Sequence, residues 1–130
     1  MIKDEQIKYR LQKAEESYQA AQLMSENQHW NFCVNRLYYS CFYAAIALLL
    51  KHDITPKTHN GTKQQFGLHF IKTGRIDETY NDLYLQLFSW RQKGDYGDMF
   101  DFTEEQVTPL FDPVRKFLET VKQQIQITNR

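Results

Sequence analysis

An all-α up-and-down bundle of four long helices and one short helix is the architecture expected of this chain. Apolar residues recur at steps of three and four along most of its length. No stretch alternates apolar and polar residues in strand fashion for more than a few positions, and nothing repeats at a solenoid period. Breaks rich in Gly, Pro, Asn and Asp separate the periodic segments. A length of 130 residues suits a single domain over 1–130, able to bury one core without metals or disulfides.

The first helix is expected from Asp4 to Met24, with Ile7, Leu11, Ala14, Tyr18 and Ala21 on one stripe and Lys8, Lys13, Glu15, Glu16 and Gln19 off it. Asn27, in the polar break that follows, is a plausible cap for a second helix starting near His29. That second helix, WNFCVNRLYYSCFYAAIALLL, organises the rest. Trp30, Val34, Leu37, Cys41, Ala44 and Leu48 form one apolar stripe, and Tyr38, Phe42, Ala45 and Leu49 form another beside it. A helix apolar over most of its circumference must be enclosed by other helices or by a partner subunit. Its unbroken apolar run, Cys41 to Leu50, falls well short of the roughly twenty residues a membrane span needs. It reads as a core helix. Cys33 and Cys41 lie about 12 Å apart along its axis, too far to bond, and read as small core residues of a reducing compartment.

Pro56 and Gly61 break the helical pattern after Leu50. A short third helix is expected from about Thr62 to Lys72, with Phe66, Phe70 and Ile71 inward and Gly74 as its stop. Asp77 can open a fourth, with Tyr80, Leu83, Tyr84, Leu87 and Phe88 at helical spacing up to Trp90. RQKGDYGDMFDF then reads as a loop whose Tyr96, Phe100 and Phe102 fold back onto the bundle. Thr103-Glu104-Glu105-Gln106 has the form of a capping box for the last helix. Pro109 and Pro113 predict a bend near 109–113.

The sixteen basic and sixteen acidic residues balance, so overall charge makes no case for nucleic acid, although a local patch still can. MIKDEQIKYR is charged and has no apolar core, so no secretory signal is expected and the cytoplasm is the expected location. HExxH, CxxC, GxxxxGK[ST] and GxSxG are absent, and His29, His52, His59 and His69 lack metal-ligand spacing. Neither a metal site nor a cofactor is expected.

Arg91 is the most informative charged residue, because it follows Tyr84, Leu87 and Phe88 on the inward face. A guanidinium at the edge of a core needs partners for its donors or an anionic ligand. Asp95, one turn on, can close a structural ion pair with it; a phosphate is the other reading. Arg36 poses the same question. With Tyr38, Tyr39 and Tyr43 around it, it can stack within the core or beside a nucleobase. Lys57, His59 and Lys63 lie in a loop running into a helix start, where free amides favour an anion, although basic polar loops are common.

Three segments taken together, NRLYYSCFYAAIALL at 35–49, PKTHNGTKQQF at 56–66 and FSWRQKGDY at 88–96, resemble the HEPN domain. The likeness is greatest to a small prokaryotic branch with an R-x-Y-Y-x-x-F helix, a K-T-H-x-G loop and an R-x-x-x-D-Y segment. The resemblance implies a helical bundle that forms a homodimer, commonly encoded beside a minimal nucleotidyltransferase as a toxin and antitoxin pair. Many members are metal-independent ribonucleases in which an arginine, followed a few residues later by histidine, holds the scissile phosphate while the histidine moves a proton. The arginine maps onto Arg91, but Tyr96 stands where histidine is expected, and no histidine follows His69. Tyrosine, with an ordinary pKa near 10, is a poor proton shuttle at neutral pH. The catalytic pair is therefore incomplete, and the expectation leans away from an enzyme.

Three functions follow from the resemblance, in this order. The first is a non-catalytic module binding nucleotide or RNA phosphate through Arg36, Tyr39, Lys57, His59, Arg91, Asp95 and Tyr96, or acting with a nucleotidyltransferase. The second is a ribonuclease that pairs Arg91 with His59. The third is a ligand-free dimeric scaffold. Tyr96 is also the position a nucleotidyltransferase partner would modify.

Overall fold

A computed structural model describes residues 2–127, whose regular elements are all helical, with no strand among the described residues. The elements are α1 (Ile2–Glu26), α2 (Trp30–Lys51), α3 (His59–Phe66), α4 (Glu78–Tyr96), α5 (Glu104–Val107) and α6 (Phe111–Ile127). The expected bundle is present, with α1, α2, α4 and α6 long and α3 short; α5 is an additional single turn leading into α6.

Helix α2 runs through the middle, packing against α1, α3, α4, α5 and α6. Its core face is enclosed within one chain: Val34, Leu37, Tyr38, Cys41, Ala44, Ala45, Leu48 and Leu49 are all fully buried, whereas Phe32 is 63% exposed. The packing on α1 is close because both faces are small there. Ser40 Oγ donates to the Ala14 carbonyl at 2.8 Å, and the Cys33 thiol approaches the Ala21 carbonyl at 3.4 Å. Cys33 and Cys41 are buried free thiols, and desolvation pushes Cys33 up to about 12 and Cys41 higher still, which leaves both unreactive. By length and composition α2 as a whole could cross a membrane, with a mean hydropathy of 1.4 over its most apolar window. Its apolar faces are instead covered by the other helices.

Four local expectations need correcting. Asn27 does not cap α2. Its Nδ2 donates back to the Leu23 carbonyl at 2.9 Å and finishes α1, while Gln28 takes a positive φ in the tight turn between the helices. Second, α3 begins at His59 rather than Thr62, because the Thr58 hydroxyl accepts from the Gly61 amide at 2.8 Å and serves as the N-cap. It then widens into a π turn over Gly67–Ile71 and stops at Gly74, whose φ of +77° suits glycine.

Third, α4 does not end at Trp90 but runs on to Tyr96. Gly94 reads as a turn residue in sequence, yet it is helical, and its missing side chain makes room for Phe102: a Cβ there would lie 3.1 Å from that ring. Phe102 folds back as expected and stacks on Trp90 with ring centroids 4.8 Å apart. Asn31 pins the segment by donating to the Phe100 carbonyl at 2.9 Å and accepting from the Phe102 amide at 2.8 Å. Fourth, Tyr96 does not fold back; it is 79% exposed.

The capping box forms at Thr103 and Gln106, and the predicted bend is a 3-10 turn over Thr108–Leu110, with Pro113 in the first turn of α6. Beyond it Val114, Phe117, Leu118, Val121 and Ile125 enter the core. Asp77 caps α4 as expected, its carboxylate accepting from the Thr79 amide at 3.1 Å.

Glu15 ties α1 to α6 through Arg115 at 2.9 Å and Lys122 at 3.6 Å, and Arg115 lies over the Tyr18 ring at 4.2 Å. The hydrogen bond from Arg115 is the main reason the Glu15 carboxyl is held below its usual range. A carboxylate depressed in the folded state stabilises above its unfolded pKa and loses that contribution as pH falls through its folded value. In urea titrations, Glu15→Gln is therefore expected to be less stable than wild type at pH 7, with the gap closing below about pH 4. A gap that persists in acid would assign the effect to packing.

Candidate functional site

The site is built where α2, α3 and α4 meet. Helix α2 presents Asn35, Arg36, Tyr38, Tyr39 and Phe42 over two turns, α4 presents Arg91 and Asp95 one turn apart, and the cap at Thr58 sets His59 as the first residue of α3. Arg91 is 8% exposed. Its guanidinium carbon lies 4.9 Å from the centre of the Tyr38 ring and 5.8 Å from that of Tyr39. Nη1 is 3.6 Å from Asp95 Oδ2, and Nε is buried with no acceptor. A guanidinium carries five donors. None of these makes a hydrogen bond within the described residues.

Asp95 links the two arginines. Its Oδ2 accepts from Asn35 Nδ2 at 3.0 Å, and Asn35 Oδ1 accepts from Arg36 Nε at 2.9 Å and from Nη2 at 2.7 Å. Arg36 lies over the Tyr39 ring at 5.0 Å. On the other side, Tyr38 Oη and His59 Nδ1 are 2.8 Å apart, and the imidazole packs on Phe42 with centroids 4.5 Å apart. His59 Nε2 has no protein partner among the described residues. Burial first, then the Arg91 cation, lowers the His59 pKa, so the ring is neutral at neutral pH. Burial pushes Tyr38 up to about 12, against the pull of Arg91, so its hydroxyl keeps its proton.

Of the residues singled out in the sequence, Arg36, Tyr39, His59, Arg91 and Asp95 come together. Lys57 is exposed and makes no hydrogen bond or ion pair among the described residues, and Tyr96, at the last position of α4, is exposed as well. Lys63 lies at its rim, 4.4 Å above the Phe88 ring. The Arg91–Asp95 pair exists, but at this distance it does not satisfy the guanidinium. Sequence reasoning passed over Asn35 and Tyr38 as site members. Asn35 interrupts an apolar pattern and could have been noticed; the bond from Tyr38 to His59 spans a loop and had no local signal.

The HEPN domain model matches residues 7–124. The chain belongs to the HEPN domain family. A Thermotoga maritima protein named "UPF0332 protein" is 32% identical over 128 residues, which is 98% of this chain and 97% of that protein. Two Methanocaldococcus jannaschii proteins, named "Putative toxin MJ0142" and "Putative toxin MJ0605", are each 33% identical. The first alignment covers 86% of this chain and 76% of the relative, the second 94% and 90%. In this HEPN chain the arginine of the R-x-x-x-D-Y segment and the histidine of the K-T-H segment meet at one buried tyrosine, Tyr38. Chemically the cluster offers two cations, a neutral imidazole and aromatic faces, a set suited to a phosphodiester with its ribose and base.

Proposed function

We propose that this HEPN chain binds the phosphate of single-stranded RNA or of a nucleotide at Arg91 and Arg36. Such a chain works as a homodimer beside a minimal nucleotidyltransferase in a toxin and antitoxin type of pair. One observation carries the reading: an arginine more than nine-tenths buried whose guanidinium makes no hydrogen bond among the described residues, with Nε fully buried. Desolvating a cation without hydrogen bonds is costly, and a phosphate oxygen is the acceptor that offsets it best. Arg36, held over Tyr39 by Asn35, adds a second charge and a stacking face. Similarity to proteins named as toxins agrees with this reading.

Fluorescence polarisation with a labelled single-stranded RNA tests it. Binding should weaken with salt, and Arg36→Ala should weaken it about tenfold and lower the salt slope by about one. No binding at low salt to RNA or to AMP sinks the reading. Because the core face of α2 is covered by its own chain, the two apolar stripes do not by themselves call for a second subunit. The dimer rests on the family likeness, and a monomeric mass in light scattering at micromolar concentration would remove it.

A second reading, metal-independent ribonuclease activity, is favoured by the approach of His59 and Arg91 to Tyr38. A neutral His59 would take the proton of the ribose 2′-hydroxyl while the arginines hold the phosphate. Cleavage in the presence of EDTA that disappears in His59→Ala and in Arg91→Met would establish it; cleavage surviving both would belong to another site.

A further inference from the structure

Tyr38 touches both Arg91 and His59, and its hydroxyl sets the state of the imidazole. The Tyr38 ring is fully buried, with the Arg91 guanidinium carbon 4.9 Å and the His59 ring 5.7 Å from its centre. Its Oη lies 2.8 Å from His59 Nδ1. Phe42 and Tyr39 pack on the imidazole with centroids 4.5 and 5.7 Å away, which holds the ring in place. A neutral imidazole carries one proton, on Nδ1 or on Nε2, and the bond made at Nδ1 selects which.

Two proton arrangements are available, and they differ in what they strand in the core. Tyr84 Oη is fully buried and has no hydrogen-bond partner among the described residues. If His59 Nδ1 carried the proton and donated to Tyr38 Oη, the Tyr38 proton would have no acceptor either, and two buried hydroxyl protons would go unpaired. If Tyr38 donates to Nδ1, only that of Tyr84 does. A stranded buried donor costs about 1–3 kcal/mol, which favours the second arrangement. A phenol is also a far better donor, and an imidazole nitrogen a far better acceptor, than the reverse pair. Burial raises the Tyr38 phenol, but the Tyr84 hydroxyl and the Arg91 cation both work against that, as groups facing the Tyr38 oxygen with positive charge do.

We infer that Tyr38 is a positioning residue that donates to His59 Nδ1, fixes the Nε2–H tautomer and makes His59 a neutral N–H donor to the phosphate at Arg91. The tautomer belongs to the free protein, whereas the ligand rests on the phosphate-binding reading given above. His59 is half-buried, and its Nε2 is not sealed in the core. Guanidinium and imidazole flank one ring, and a phosphate with a hydrogen bond of about 2.9 Å on either side has the size to touch both. The same tautomer leaves no lone pair on Nε2, so it weighs against His59 as the base of a cleavage reaction.

Long-range 1H–15N correlation spectra of the 15N-labelled protein at about pH 8, where the ring is neutral, read the tautomer directly. His59 should show a protonated Nε2 and a bare Nδ1. Tyr84→Phe should leave that pattern unchanged, and Tyr38→Phe, which keeps the buried ring, should release it to a mixture. Affinity for a 2′-O-methylated single strand, which cannot be cleaved, should fall about tenfold in His59→Ala, the loss of one hydrogen bond to a charged group. His59→Gln, whose amide donates but takes up no proton, should restore most of it, and Tyr38→Phe should weaken binding about threefold as the competent tautomer is diluted. The wild-type spectrum decides the tautomer even where a variant does not fold. A bare or exchanging Nε2 in that spectrum, or a His59→Ala protein that binds as wild type does, overturns the inference, and the phosphate reading survives if Arg36→Ala still weakens binding. A strand that never binds overturns the phosphate reading and the donor role together.

Discussion

Arg91→Met is expected to reduce RNA affinity about a hundredfold while leaving the protein as stable as wild type, or more stable by about 1 kcal/mol. The affinity loss follows from two charge-assisted hydrogen bonds to phosphate, each worth about 1.5 kcal/mol or more. The stability argument weighs three effects. The guanidinium is largely buried and its Nε has no acceptor among the described residues, so removing it relieves desolvation. Lost cation–π contact with Tyr38 and Tyr39 works the other way, by about 1 kcal/mol, and the methionine sulphur recovers part of that on the same rings. Asp95 keeps its bond from Asn35 and remains partly in water, so it is not stranded as a buried charge. Urea unfolding and polarisation titrations on the same preparation check both halves. A variant that unfolds more readily yet binds unchanged would make Arg91 a structural clamp.

Phe66→Ala is expected to cost about 4 kcal/mol, enough to lower the melting temperature by roughly 10–20 °C. Phe66 is fully buried and joins α3 to two long helices, with its ring 5.6 Å from both Tyr84 on α4 and Phe117 on α6. Truncation leaves a cavity walled by rigid rings that cannot collapse into it. The same helix carries His59, so partial loosening of α3 should also weaken the contact between His59 and Tyr38. Thermal unfolding followed by circular dichroism measures the first effect. A shift of only a few degrees would mean that α3 is a peripheral strap rather than part of the core.

The readable parts of this fold were those set by local chemistry. Helical periodicity located α1, α2 and α6, and the side chains of Asp77 and Thr103 marked the starts of α4 and α5 because a cap acts within a few residues of itself. Errors came where a distant neighbour overrode a local signal or where a polar residue between two elements could serve either side. Gly94 is helical because Phe102 needs its space, and Asn27 serves the preceding helix rather than the following one. The unread start of α3 mattered most, since the Thr58 cap moves His59 from a loop into the first helical turn. In the site, Arg91 and Asp95 were legible because they sit one turn apart on one helix. Lys57 and Tyr96 stay exposed, because nearness in sequence does not set the direction of a side chain in a loop or at a helix end.

By itself the sequence determined an all-helical HEPN chain with a doubly apolar central helix and an arginine on the inward face of α4. These follow from residue periodicity and motif order, which need no knowledge of what lies across the core. Only the tertiary structure decided that His59 and Arg91 share Tyr38 and that Asn35 and Asp95 tie Arg36 to Arg91. Those contacts join residues from three helices through packing angles and helix starts, and the energy of a long-range contact leaves no periodic trace along the chain.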